Sequence, residues 1–214
     1  MSSLVCQVVF LAVLSTAGAF AAYWFYRTLA TTSVSAVARF ASERGWGSRP
    51  GEGWVFRYEG ELDGVRWTIG RQISPRTPYG KTALRPIFEV STSLEAPGCL
   101  AIEPTAPIRR ALAPVAARYG VTRPSRVALL THLPDAATAT REGFEVRTTP
   151  SDHPLAVRAL EVAAILGAHR SRTLRAMTVL VLEDEMVLVS TDPLAALDEV
   201  LELASRCRRA LGGA

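Results

Sequence analysis

Residues 4–26, LVCQVVFLAVLSTAGAFAAYWFY, carry no formal charge. Coiled as an α-helix, such a stretch spans roughly 35 Å, more than the ~30 Å hydrocarbon core of a bilayer. Tyr23, Trp24 and Tyr26 gather at its C-terminal end beside Arg27, where amphipathic rings and a cation meet lipid headgroups. Gln7, Ser15 and Thr16 are polar but uncharged and do not forbid insertion. The segment therefore predicts one transmembrane helix, with the bilayer itself as the partner of residues 4–26. Ala19-Phe20-Ala21 offers a small-x-small site of the kind that ends a secretory signal. However, Met1-Ser2-Ser3 supplies no Lys or Arg, and the apolar run continues past that site, so retention is expected. Arg27, Arg39, Arg44 and Arg49 all follow the segment, which by the positive-inside rule places the rest of the chain on the cytoplasmic side of the cell membrane. The pairs Ser15/Ala19 and Gly18/Ala22 have the spacing that lets two helices approach closely, but Ala and Gly are abundant throughout, and the oligomeric state stays open.

The remaining chain is long enough for one ordinary domain, and 49% hydrophobic residues suffice for its core. The sequence divides into an anchor over 1–28, a juxtamembrane helix and Gly-rich loop over 29–53, and a soluble domain over 54–214. The net charge of +4 is unevenly placed. Residues 106–175 hold 11 basic and 5 acidic side chains, whereas 176–214 hold 3 and 7. The base is almost entirely Arg, with Lys81 the one lysine, and Tyr119 and Phe144 are the only aromatics in the basic middle. Nucleic-acid grooves interleave cations with stacking rings, so nucleic acid is an unlikely partner. Cys6, Cys99 and Cys207 and the isolated His132, His153 and His169 lack metal-ligand spacing. Neither a metal nor a cofactor is expected.

Beyond the anchor, Thr32 or Ser33 can cap a short helix bearing Val34, Val37, Phe40 and Ala41, with Gly45 as its stop. Residues 54–62 alternate, with Trp54, Phe56, Tyr58 and Leu62 on one face, and Asp63-Gly64 suits a type I′ turn into a second strand over 65–73. A loop over 74–83 leads to a third strand over 87–92. Prolines break up residues 96–141: a helix over 108–119 kinked at Pro114, a strand over 126–131 and a loop over 132–141 are expected. The last third reads β-α-β-β-α. Its elements are a strand over 144–148, a helix capped by Ser151 or Asp152 with Pro154 just inside, strands over 177–182 and 186–190, and a closing helix opened by Asp192-Pro193. The acidic turn Glu183-Asp184-Glu185 joins the last two strands. Short turns connect only antiparallel neighbours, so the fold class is α+β: a mainly antiparallel sheet with helices packed on one face.

Three phrases, ARFASERGW over 38–46, GELDGVRWTI over 60–69 and FEVRTTPSDHPLAVRAL over 144–160, resemble those of uncharacterised bacterial single-pass membrane-anchored proteins of unknown function. They are strand, turn and cap signals, and the resemblance implies an anchored domain but no activity, cofactor or site. No Gly-x-Ser-x-Gly elbow, phosphate loop or dinucleotide fingerprint occurs, and Ser151-Asp152-His153 are adjacent rather than convergent, which suits a helix cap better than a triad. The expectation is a non-catalytic interaction or scaffolding module with an unidentified protein partner. Trp46 or Trp54, beside the Gly-rich stretch, is a candidate contact residue or else a core residue. The alternative is contact of the Arg-rich middle with anionic lipid or nucleic acid; an enzyme is the least favoured class.

Overall fold

The computed structural model describes residues 15–16, 18–21, 34–72, 87–96, 98–106, 110–122, 124–133, 139–171, 174, 177–190 and 196–212. These form a nine-stranded, entirely antiparallel sheet in the order β1-β2-β3-β4-β9-β8-β5-β7-β6. Helix α1 covers 34–43 and leads to β1 (Gly47–Ser48), β2 (Trp54–Leu62), β3 (Val65–Gln72) and β4 (Ile87–Ser93). Then come β5 (Cys99–Pro104), α2 (Leu112–Thr122), α3 (Pro124–Thr131), β6 (Ala139–Arg141) and β7 (Phe144–Thr149). The chain closes with α4 (Ala156–Gly167), β8 (Thr178–Leu182), β9 (Glu185–Ser190) and α5 (Leu197–Ala210).

Alternation in the strands sends residues to two cores. One face of the sheet supplies Trp67, Ile69, Phe88, Val90, Leu100, Ile102, Val179, Val181, Met186 and Leu188 and is covered by α1, α4 and α5. The other supplies Ile87, Cys99, Ala101, Leu180, Leu182, Val187 and Val189 and is covered by α2 and α3 through Val115, Tyr119 and Leu130. The expectation of helices on one face is therefore corrected: helices lie on both. The cause is local, since every residue of β5 and β8 is buried, and a strand apolar on both sides needs a cover on both sides.

The first hairpin forms as expected, with Leu62 opposite Val65 and both turn residues, Asp63 and Gly64, at positive φ (53° and 74°). A bulge between Trp54 and Phe56 breaks the alternation. Trp54 consequently lies over Gly70, on the opposite side of the sheet from Phe56 and Tyr58. The middle of the chain departs most from expectation. Pro114 lies in the first turn of α2, where a missing N–H has no intrahelical acceptor to lose, so it opens the helix rather than kinking it. Pro124 does the same for α3, and residues 124–131 are helical where a strand was expected over 126–131. Four apolar residues in a row do not distinguish the two periods. The expected loop over 132–141 contains β6, and the buried strand β5 had no counterpart in the reading. The acidic turn is two residues, Glu183 and Asp184, with Glu185 already paired to Leu182 in β9.

Among the described residues no helix is long and apolar enough to cross a membrane. Most of 4–26 lies outside the described residues, as do the cap candidates Thr32 and Ser33, the loop over 74–83 and Asp192-Pro193. Of the apolar stretch, residues 15–16 and 18–21 are helical and exposed, with Phe20 64% accessible.

Candidate interaction surface

The β2–β3 hairpin lies near one end of the sheet, with the two-residue β1 outside it. One side of it packs on the larger core through Phe56, Tyr58, Leu62 and Val65. Its other side carries Arg57, Glu59, Glu61, Arg66 and Thr68, all half-buried or exposed. Glu59 accepts from both Arg57 (2.7 Å) and Arg49 (3.1 Å), and the Arg57 guanidinium lies 5.5 Å from the centre of the Trp54 ring. Val55, at the bulge, is 51% exposed. A shallow hollow of about 250 Å³ opens among Gly47, Arg49, Glu59, Glu61 and Arg66. A second, of about 330 Å³, lies toward α3 among Arg57, Ser93, Arg126, Asp184 and Glu185. Together these residues form a surface of mixed charge around one aromatic ring and one apolar side chain, a composition suited to the rim and anchor of a protein contact.

Of the two tryptophans singled out by sequence, the structure separates the roles. Trp46 is a core residue: its ring covers Gly60 and meets Phe40 edge-on with centroids 5.6 Å apart. Trp54 is half-buried at the surface described above.

Ser151 and Asp152 lie exposed in the turn before α4, and His153 beside them is buried. Helix α4 has no side-chain cap from Ser151 or Asp152; the turn before it is closed by His153, whose Nδ1 accepts the N–H of Leu155 at 3.1 Å. His169 repeats this arrangement with Ser171 at 3.1 Å, and His132 lies exposed at the end of α3. Asp184 and Glu185 are more than a solvated turn, because Arg126 of α3 bonds the Leu182 carbonyl (2.8 Å) and Asp184 (2.7 Å) and lies 3.6 Å from Glu185. Among the described residues no group of three or more His, Cys, Asp or Glu is placed to hold a metal ion. Cys99 and Cys207 are free and buried, and burial pushes both thiols up to about 12.

The sequence reading missed a polar cluster between β5, β7 and α2. Glu103 and Glu145 are directly opposed across the β5–β7 ladder. Glu103 is buried and accepts the Leu112 N–H at 2.9 Å, so it caps α2 from the sheet. Burial raises its pKa, opposed by the Leu112 N–H and then by Arg147 and Arg110. Glu145 is held low, first by its hydrogen bond from Arg147 (3.0 Å) and also by Arg110. A lone carboxylate inside the apolar run CLAIEP was the available signal, obscured by the neighbouring prolines. Gln72 and Glu89, both buried, form a second pair in which the Gln72 amide donates to the carboxylate.

No known protein family and no curated protein matches this chain. Among solved structures, the crystal structure of the mycobacterial trehalose monomycolate transport factor A, TtfA, is similar with a TM-score of 0.43 and 8% identity, over 80% of this chain and 88% of that one. At that level the likeness carries no functional argument.

Proposed function

We propose that the protein is a membrane-anchored, non-catalytic interaction module, held in the bilayer by residues 4–26 and presenting the outer face of β2–β3 to a protein partner. The observation that carries this reading is the exposure of the described part of the apolar stretch. The domain closes two cores of its own and leaves the helical residues 15–16 and 18–21 uncovered, Phe20 included. An uncharged stretch whose described residues its own domain does not bury finds its solvent in lipid. The charge asymmetry after Arg27 favours the cytoplasmic side for the domain.

The structure weighs against the competing reading, in which the Arg-rich middle meets anionic lipid or nucleic acid. Arg110 and Arg147 are bound to Glu145, and Arg126 to Asp184. These three guanidinium groups, paired with the fold's own carboxylates, are not offered to phosphates.

The test is carbonate extraction of membranes carrying the full chain with a C-terminal reporter. The protein is expected to stay in the pellet, and deletion of residues 1–28 to release it. Release of the intact chain, or a mature N-terminus near Ala22, overturns the anchor. A photo-crosslinking residue at Val55 is expected to give a discrete adduct that the same residue at Val157, 75% exposed on α4, does not. Equal labelling from both positions overturns the assignment of the surface.

A further inference from the structure

On the side of the sheet that carries α5, the Asp63-Gly64 turn and the last turns of α5 enclose a cleft of about 220 Å³. Leu62, Asp63 and Val65 form one wall, Ser205, Arg208 and Arg209 the other, and Trp67 the floor. This volume is below the roughly 300 Å³ at which drug-sized ligand sites begin, so it suits a single small group.

The polar lining is dominated by donors. Arg208 and Arg209 bring two guanidinium groups and Ser205 a hydroxyl, and Trp67 is the aromatic member of the lining. Trp67 is 1% exposed, and its Nε1 has no hydrogen-bond acceptor. Buried indole N–H groups ordinarily find a partner, and the apolar neighbours Leu62 and Val65 offer none from their side chains. Arg208 reaches across to the Ser93 carbonyl (3.4 Å), which leans it over the sheet beside the Trp67 position. The one carboxylate, Asp63, is exposed on the turn, so the lining carries one net positive charge.

We propose that this cleft binds a small oxyanion of phosphate size, with Arg209 and Arg208 neutralising its charge and Ser205 and the Trp67 indole donating to its oxygens. Two forked guanidinium groups recognise tetrahedral or planar oxyanions by paired hydrogen bonds, and an anion supplies the acceptor that the indole lacks. A free phosphate and a phosphate-bearing lipid headgroup share this chemistry.

The experiment follows the Trp67 indole cross-peak in ¹H–¹⁵N spectra of the full chain, with W67F identifying it and W24F, W46F and W54F confirming it by elimination. Inorganic phosphate is titrated into detergent-solubilised protein; in parallel, the chain is placed in nanodiscs of phosphatidylcholine with and without phosphatidic acid. A saturable shift with inorganic phosphate assigns the free ion, and a shift only with phosphatidic acid assigns the headgroup. R209A is expected to weaken binding by about tenfold, the scale of one hydrogen bond to a charged group. D63N, which keeps a residue type that tolerates positive φ, is expected to tighten it. An indole peak that moves in neither arm, or R209A titrating like the unmodified chain, overturns the site. The carbonate experiment tests the anchor separately, so a failure here leaves that reading untouched.

Discussion

At the scale of single residues, two glycines are fixed by aromatic rings lying on the sheet rather than by turns. A Cβ at Gly60 would fall inside the buried Trp46 ring, and one at Gly70 inside the half-buried Trp54 ring. Overpacking a rigid core costs roughly 1–3 kcal/mol, and an outer ring can swing aside. Gly60→Ala is therefore expected to lower urea stability by about 2 kcal/mol, and Gly70→Ala by clearly less. The buried thiols make a second prediction. With pKa values pushed up to about 12, Cys99 and Cys207 should resist a thiol-specific disulfide reagent at pH 8 in the native chain and react on denaturation. Because both folded-state values lie above the ordinary 9, their stabilising share is intact below pH 9 and declines as pH rises from there toward 12. The positions of these glycines and cysteines are plain in the sequence. What touches them is not, because Trp46 reaches Gly60 only once β1 lies beside β2.

At the scale of elements, the opposed pair Glu103 and Glu145 should titrate against each other. Glu103 has a raised folded-state pKa, so its contribution is fully present below pH 4.5 and is lost as pH rises through the folded value. Glu145 has a lowered one, so its contribution is present above pH 4.5 and is lost as pH falls. Glu103→Gln keeps an acceptor for the Leu112 N–H while removing the buried charge. It is expected to match or exceed the native stability at pH 7, and the difference should shrink toward pH 4. Glu145→Gln should lose stability at pH 7 and converge on the native chain in acid. Chemical denaturation between about pH 2 and 8 checks both slopes, and equal slopes would sink this account. Neither role was legible beforehand. Turn and alternation signals located the hairpins, but a helix cap supplied by a buried strand residue nine positions before the helix start matches no capping-box spacing.

At the scale of the whole molecule, one sheet shared by two cores should unfold as a unit. Tyr119→Ala removes the largest side chain beneath α2, and Leu201→Ala opens a cavity beneath α5 on the other face. Each is expected to cost about 3–5 and 2–5 kcal/mol respectively, with fluorescence and circular dichroism still tracing a single coincident transition. Two resolved transitions would mean that the faces fold separately. Sequence alone determined the features governed by neighbours: the uncharged stretch over 4–26, the Asp63-Gly64 turn, both hairpins and the order β7-α4-β8-β9-α5. Each depends on hydrophobic period or turn chemistry within a few residues. Tertiary structure decided which side each helix covers, that Pro114 and Pro124 start helices, that a bulge turns Trp54 away from Phe56, and that Glu103 meets α2. Those outcomes follow from the two-sided burial of β5 and β8 and from contacts between residues distant in the chain, which no local window contains.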